Sequence, residues 1–267
     1  EVAGERAPDA RYVLFTDADI RHSRDNLSRL VDKAERDNCV LVSLMALLDA
    51  RGPWASLLVP AFVYFFQMLY PFPLSNNPKR KVAAGAGGCM LVRRERLEAV
   101  GGLEPIKSEL IDDCALARLL KGEPPRQTTW IGVTRAVKSQ RDNRSLGSIW
   151  NMVARTAFTQ LKHSADVLTA AMLGLAFIFL LGPLVFLTAP LHENGLAMLL
   201  GLAAWLAMAA SFAPTLRLYR KPVLLGFALP VAAALYMAMT VSSALRHWRG
   251  QGGEWKGRTY AADRPAA

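Results

Sequence analysis

Cysteine is scarce in this chain of 267 residues: there are three, Cys39, Cys89 and Cys114. They are odd in number, widely spaced and show no paired metal-ligand spacing, which excludes a disulfide framework and a zinc site and fits a reducing, cytoplasmic setting. Histidine is nearly as rare. His22, His163, His192 and His247 form no cluster along the sequence and read as structural or surface residues. Acidic residues are outnumbered, 22 Asp and Glu against 32 Lys and Arg, for a net charge of +10. Such an excess suits a chain that lies against anionic lipid and binds a phosphorylated ligand. Nucleic acid is disfavoured as a partner, because the basic residues are spread over loops and helix ends and form no aromatic-laced stripe. The glycines match neither the dinucleotide nor the P-loop spacing, and there are no internal repeats and no long low-complexity linker. The chain opens on Glu1, and the stretch before Arg11 carries neither a signal-peptide pattern nor a strand.

What is abundant is apolar sequence: 52% of residues are hydrophobic and the mean hydropathy is positive. Residues 168–190, 196–214 and 223–245 are three apolar runs of about 20 residues, each long enough to cross a hydrocarbon core of about 30 Å. They are expected to be transmembrane helices. Arg217, Arg220 and Lys221 lie between the second and third runs and place that loop inside. Three complete spans then put Arg246, Arg249, Lys256 and Arg258 outside, against the positive-inside tendency. Either one run is re-entrant, with its break at Pro183 or Pro230, or the tail is external; both readings stand. A fourth stretch, 53–72, is dense in aromatic and aliphatic residues but contains Pro60. It reads best as a helix in the membrane interface, with a buried core helix as the alternative and a full span as the weakest reading.

The chemistry is expected where the apolar run Tyr12-Val13-Leu14-Phe15 stops at Thr16-Asp17-Ala18-Asp19. The run reads as a strand buried on both faces of a parallel sheet, and ligands gather beyond the carboxyl ends of such strands. Asp17 and Asp19 can turn toward one hard cation shared with a diphosphate; the alternative is that one caps the next helix and the other is solvated. Further on, the spacing predicts a helix over 23–38 with Ser23 as N-cap and Leu27, Leu30, Val31 and Ala34 on one face. It predicts strands over 40–48 and 128–137, and a glycine-rich turn running into a strand over 83–92. Helices follow over 93–100, stopped by Gly101-Gly102, and over 111–120, with Asp112 and Asp113 in a first turn where the dipole favours acids. Residues 145–163 form an amphipathic helix with Ile149, Trp150, Val153, Ala157, Phe158 and Leu161 on one side. Lys79, Arg80 and Lys81 read as a solvated charge run, with lipid headgroups or donor phosphate as the alternative partner.

Phe15-Thr16-Asp17-Ala18-Asp19, then Ala84-Gly85-Ala86-Gly87-Gly88-Cys89-Met90-Leu91-Val92-Arg93-Arg94, then Ile111-Asp112-Asp113-Cys114-Ala115-Leu116-Ala117, resemble family 2 glycosyltransferases in content and order. The chain is most similar to the membrane-bound branch, and within it to the hopene-associated (hopanoid biosynthesis) enzymes. The resemblance implies an α/β fold: a partial GT-A, Rossmann-like domain over 1–144, an amphipathic interfacial helix over 145–165, about three transmembrane helices over 166–248 and a basic tail over 249–267. In that family two βα units that grip the nucleotide normally precede the Asp-x-Asp strand, so the sequence looks N-terminally truncated. The resemblance further implies that Asp17 and Asp19 hold Mg²⁺ or Mn²⁺ against the donor diphosphate, and that Gly87 and Gly88 line the sugar and acceptor pocket. Asp113 matches the general base; Asp112 stands where many relatives carry Glu and remains the second candidate. Processive relatives carry Gln-x-x-Arg-Trp near residue 150. That string is absent here, which argues against a polymer synthase; the helix offers Trp150, Arg155 and Gln160, with Arg155 a candidate for steadying the leaving diphosphate. Trp255-Lys256-Gly257-Arg258-Thr259-Tyr260 is similar to a string that relatives carry at the membrane face.

The implied activity is inverting transfer of a sugar from a nucleotide-sugar donor to a lipid hydroxyl, with a hopanoid as the acceptor that the resemblance implies. The implied location is the bacterial inner membrane, with the catalytic domain cytoplasmic and no nucleic-acid partner. Two rivals remain. A metal-dependent lipid phosphatase or phosphotransferase would use the same acids but lacks a nucleophile motif here; a non-catalytic membrane partner is opposed by the intact set Asp17, Asp19 and Asp113.

Overall fold

The computed structural model describes residues 9–250, together with the backbone of two short strands, Glu254–Trp255 and Arg258–Thr259. In chain order the elements are β1 (Tyr12–Phe15), β2 (Ile20–His22), α1 (Asn26–Arg36), β3 (Cys39–Leu47), α2 (Pro53–Leu69), α3 (Phe72–Ser75), β4 (Met90–Arg93), α4 (Arg94–Ala99), α5 (Asp112–Lys121) and β5 (Thr128–Ser139). Then come α6 (Leu146–Gln160), α7 (Ala165–Ala176), α8 (Gly182–Leu187), α9 (Ala189–His192), α10 (Gly195–Leu218) and α11 (Leu229–Trp248). They form two compact units, one comprising residues up to Asp49 with Phe65–Asp142, the other Ala50–Tyr64 with residues from Asn143 onward.

The first unit is built on a five-stranded sheet in the order β1-β4-β3-β5-β2. β3 and β5 are parallel; the remaining pairs are antiparallel. Alternate side chains of β3 and β4 point to opposite faces, as the pleat requires. Leu41, Met90 and Val92 meet Leu116 and Leu120 of α5 on one face, while Val42 and Leu91 meet Leu30 and Ala34 of α1 on the other. Each fully buried Leu there contributes about 1.5–3 kcal/mol relative to an exposed one.

β1 departs from expectation. It pairs antiparallel with β4 (Val13↔Val92, Phe15↔Met90) at the edge of the described sheet, and its four residues are only half-buried. A short apolar run carries no mark of strand direction, and the two-sided burial falls instead on β3. α1 also starts late, at Asn26. Ser23 donates to Asp25 Oδ1 at 2.8 Å and does not cap the helix. The later start puts residues 26, 30 and 34 against the sheet and leaves Leu27 52% exposed. The predicted helices and strands over 40–48, 93–100, 111–120 and 128–137 appear as β3, α4, α5 and β5.

In the second unit, Ser145 Oγ accepts from Ser148 N at 3.0 Å and starts α6, which buries Ile149, Val153, Ala154 and Phe158. α6 lies on α11: Trp150 Nε1 donates to Ser242 Oγ at 3.2 Å, and Phe158 N–H to Ser243 Oγ at 3.0 Å. Three helical segments, Ala165–Leu187, Gly195–Leu218 and Val223–Trp248, are long and apolar enough to cross a membrane. The first carries a π-turn over Phe177–Leu181 just before Pro183, and the third opens as a 3₁₀ turn over Val223–Ala228 just before Pro230. The second does not stop at Pro214, because one missing N–H leaves the rest of the ladder intact and the helix runs on to Leu218.

The seventeen residues of α2 are too few for a full span. Its amino-terminal part is clasped within the second unit. Tyr236 donates to the Leu58 carbonyl at 2.8 Å, Lys221 Nζ to Ser56 Oγ at 2.9 Å, and Tyr64 bonds Ser211 at 2.8 Å. Two histidines expected to stand apart are stacked here: the rings of His163 and His247 lie 4.2 Å apart and 8° from parallel. Residues 84 apart come together because α6 ends where α11 ends, a relation invisible along the sequence. Lys256, Gly257 and Tyr260 of the expected membrane-face string, and most of the tail, lie outside the described residues.

Candidate active site

Asp17 and Asp19 follow β1 in a turn closed by Ile20 N–H on the Asp17 carbonyl at 3.1 Å. Asp17 is exposed. Asp19 is half-buried against the end of β5: Gln140 N–H donates to its carbonyl at 2.7 Å, and Oδ2 lies 3.4 Å from both Arg141 Nε and Ser139 Oγ.

The residue just before the acids ties this turn to the glycine-rich one. Thr16 donates its hydroxyl hydrogen to the Gly88 carbonyl at 3.0 Å, so its contact with His22 Nε2 at 2.8 Å is one in which the ring nitrogen donates. That tautomer leaves Nδ1 to accept from Asn26 Nδ2 at 3.0 Å. His22 therefore positions the acid turn, a role the sequence did not reveal. From beneath, the buried Ser43 of β3 accepts from Ala86 N at 2.9 Å and donates to the Cys89 carbonyl at 3.2 Å.

The same glycine-rich turn holds Asp113. Gly87 N–H donates to Oδ2 at 3.0 Å and Cys114 N–H to Oδ1 at 2.7 Å. The second bond comes from the first turn of α5, whose dipole favours an anion there. Crowding by the surrounding protein nonetheless pushes the Asp113 carboxyl up; the Cys114 and Gly87 amides pull it down, and the charge of Asp112 adds to the rise. Asp112 differs from its neighbour: it is exposed, and its Oδ1 accepts Asp113 N–H at 2.9 Å. The neighbouring Cys114 thiol is pushed up to about 12 by burial and then by Asp113, so it is no thiolate nucleophile at neutral pH.

The glycines act largely by packing against protein. A Cβ on Gly85 would stand 2.6 Å from the Asp113 carbonyl oxygen and 2.7 Å from Met90 Cε, and one on Gly88 would stand 3.1 Å from Ile20 Cδ1. Gly87 is the open one, with Asp113 side-chain atoms 3.7 Å away as its nearest neighbours. Beside Asp113, the buried Ala84, Cys114 and Ile131 carry the partly buried rings of Phe66, Tyr70 and Phe72. The basic loop that follows α3 is anchored by Lys121, 1% exposed, whose Nζ donates to the Ser75 and Val82 carbonyls at 2.7 and 2.6 Å. Burial, then Arg126, lowers the Lys121 pKa to about 8.

Hydrogen bonds thus join the turn of Asp17 and Asp19 to Gly88, Gly87 and Asp113 within one unit. Arg155 lies on α6, in the second unit. No cluster of three or more His, Cys, Asp or Glu suited to a metal exists among the described residues. Two carboxylates one residue apart still fit a hard cation whose other ligands are donor and water oxygens.

A search of curated proteins returns no match. The family model for glycosyl transferase family 21 matches residues 3–265, where the motifs alone suggested family 2. That match takes in all three motifs and the apolar helices, so the chain belongs to glycosyl transferase family 21.

Proposed function

We propose that the protein is a membrane-bound inverting glycosyltransferase that moves a sugar from a nucleotide-sugar donor to the hydroxyl of a lipid. The observation that carries this reading is Asp113, an acid with a raised pKa held at a helix start by two amides and flanked by an apolar, aromatic wall. A raised carboxyl is the better proton acceptor near neutral pH. Asp113 takes the proton of the acceptor hydroxyl as that oxygen attacks the anomeric carbon. The bond from that carbon to the diphosphate breaks on the opposite face, and the electron pair leaves with the diphosphate.

Asp17 and Asp19 would hold Mg²⁺ or Mn²⁺, which when bound neutralises charge on the leaving diphosphate. Gly87 and Gly88 line the sugar pocket. The three long apolar helices, the exposed Trp54, Met68 and Leu69 of α2, and the rings of Phe66, Tyr70 and Phe72 support a lipid acceptor at a membrane surface. The hopanoid acceptor rests on the motif resemblance. Arg217, Arg220 and Lys221 support a catalytic unit on the cytoplasmic side of a bacterial inner membrane.

The test is sugar transfer from a panel of nucleotide sugars to a lipid extract, with the protein in native-like lipid, with and without Mn²⁺, and with Asp113→Asn. Metal-dependent transfer that collapses in the variant while donor binding persists is expected. Donor or lipid phosphate hydrolysed with no lipid glycosylated would overturn the reading in favour of a phosphatase.

A further inference from the structure

From Ala50 to Arg94 the chain contains no Asp or Glu, yet it carries three consecutive cations, Lys79, Arg80 and Lys81, all exposed. They are not the tip of a slack loop. Lys121 Nζ bonds the carbonyls at both ends of the segment, those of Ser75 and Val82, and Thr129 Oγ1 adds a bond to the Ser75 carbonyl at 3.3 Å. Asn76 pairs with Ile131 of β5 as a neighbouring strand would: its Nδ2 donates to the Ile131 carbonyl at 3.0 Å and its Oδ1 accepts the Ile131 N–H at 2.8 Å. Between these stems Asn77 closes a turn over Pro78, its Oδ1 accepting Lys79 N–H at 2.8 Å and its carbonyl Arg80 N–H at 3.1 Å. The turn gathers three like charges in the open, an arrangement that an anionic surface stabilises.

The chain leading into this loop has the opposite character. Met68 and Leu69 end α2, Leu74 lies on α3, and all three are exposed. The Leu74 carbonyl accepts Asn77 N–H at 3.3 Å, which sets Leu74 at the foot of the cationic turn. A soluble phosphate would account for the cations alone. Exposed apolar groups beside clustered cations match a bilayer surface, phosphate outside and hydrocarbon beneath. We propose that residues 68–81 dock the first unit onto the membrane, with Lys79, Arg80 and Lys81 on the phosphates of anionic phospholipids and Met68, Leu69 and Leu74 in the acyl boundary below them. All of these groups belong to that unit. The inference goes beyond the transferase reading and does not depend on it; it needs a chain that resides in a membrane, which the three long apolar helices support. Each Lys or Arg near an anionic leaflet strengthens attachment about fivefold, and the three together on the order of a hundredfold.

The test uses the whole chain in lipid nanodiscs, with an environment-sensitive fluorophore on Leu74→Cys; the native cysteines are at most 1% exposed and leave little background. In discs containing phosphatidylglycerol the emission should move to the blue and resist quenching by acrylamide. In discs of phosphatidylcholine alone it should do neither. Lys79→Gln, Arg80→Gln and Lys81→Gln combined should abolish the blue shift, and each alone should lower the docked-to-free ratio about fivefold, which reads the same quantity if the triple variant folds poorly. Salt at about 1 M, where the Debye length falls to about 3 Å, should act like the triple substitution. A label equally buried or equally exposed in both lipids, or a blue shift that survives loss of all three charges, would overturn the assignment. Inorganic pyrophosphate identifies the rival ligand. Pyrophosphate binding that weakens in the triple variant, while the label ignores lipid charge, would give the cations to a soluble phosphate and overturn the docking surface as well.

Discussion

Gly87 donates its backbone N–H to Asp113 Oδ2 at 3.0 Å across 26 residues of sequence. The bond explains why a glycine-rich turn and an acidic helix start belong to one site. Amide groups on opposite sides hold the carboxylate in one orientation, while crowding raises its pKa, so Asp113 is both fixed and basic.

Asp113→Asn should lower transfer by about 10²–10⁴-fold, the usual worth of a positioned base, with donor binding retained. The base works ionised and its pKa is raised, so the acid limb of kcat/KM should break above the ordinary carboxylate range. Stability moves the other way. The unfolded carboxyl ionises first, the folded one keeps its proton longer, and stability from this group falls as pH rises between the two pKa values. A pH–rate profile of the parent with a break at an ordinary carboxylate pKa would contradict the assignment.

Gly85 and Gly87 should respond differently to alanine. At Gly85 the new Cβ meets the backbone oxygen of Asp113 at 2.6 Å, which no rotamer change relieves, so the variant should lose about 1–3 kcal/mol of stability along with activity. At Gly87 the nearest atoms are 3.7 Å away, in ordinary contact. Gly87→Ala should melt like the parent while its donor KM rises, since the proposed function puts the methyl in the sugar pocket. Thermal melts and steady-state kinetics on both variants decide this; equal melting losses would mean the turn is packed differently.

The apolar rhythm carried most of the fold. β3, α5, β5, α6 and the three long helices each follow a periodicity or a length that water imposes on any chain. The direction and edge position of β1 did not show, since Tyr12–Phe15 reads the same in either orientation. The site was legible as three motifs in order but not as a connected object. The links are Thr16 to Gly88, His22 to Asn26 and Thr16, Ser43 to Ala86, and Arg141 to Asp19, and all but the local ones join residues dozens of positions apart through single polar atoms. No local pattern encodes such pairs. Lys121 was missed for a related reason: a lysine in the last turn of a helix ordinarily reads as a dipole partner.

Lys121 offers a test of stability against pH. Burial holds its folded pKa down at about 8, below the ordinary lysine value of 10.5. Between those values the unfolded chain holds the extra proton, so the contribution of Lys121 to stability should rise as pH rises from about 8 toward 10.5. Lys121→Met should be destabilised at every pH, because the Ser75 and Val82 carbonyls lose their donor. The gap between parent and variant should widen in the alkaline direction. A gap that narrows there would mean the buried amine is held charged.

The helices give a testable topology. All three native cysteines are at most 1% exposed, so the labelling background should be low. Leu191, 84% exposed, lies between the first and second long helices; Arg220 lies between the second and third, and Arg249 just past the third. If each helix crosses completely with the catalytic unit inside, an impermeant maleimide should label Leu191→Cys and Arg249→Cys on intact cells, and Arg220→Cys only after permeabilisation. Labelling of 191 without 249 would mean that the third segment turns back, and its 3₁₀ opening over Val223–Ala228 is where the helix is already broken. Labelling of 220 alone would invert the orientation and put the Asp17, Asp19 and Asp113 site on the outer face, away from cytoplasmic nucleotide sugars.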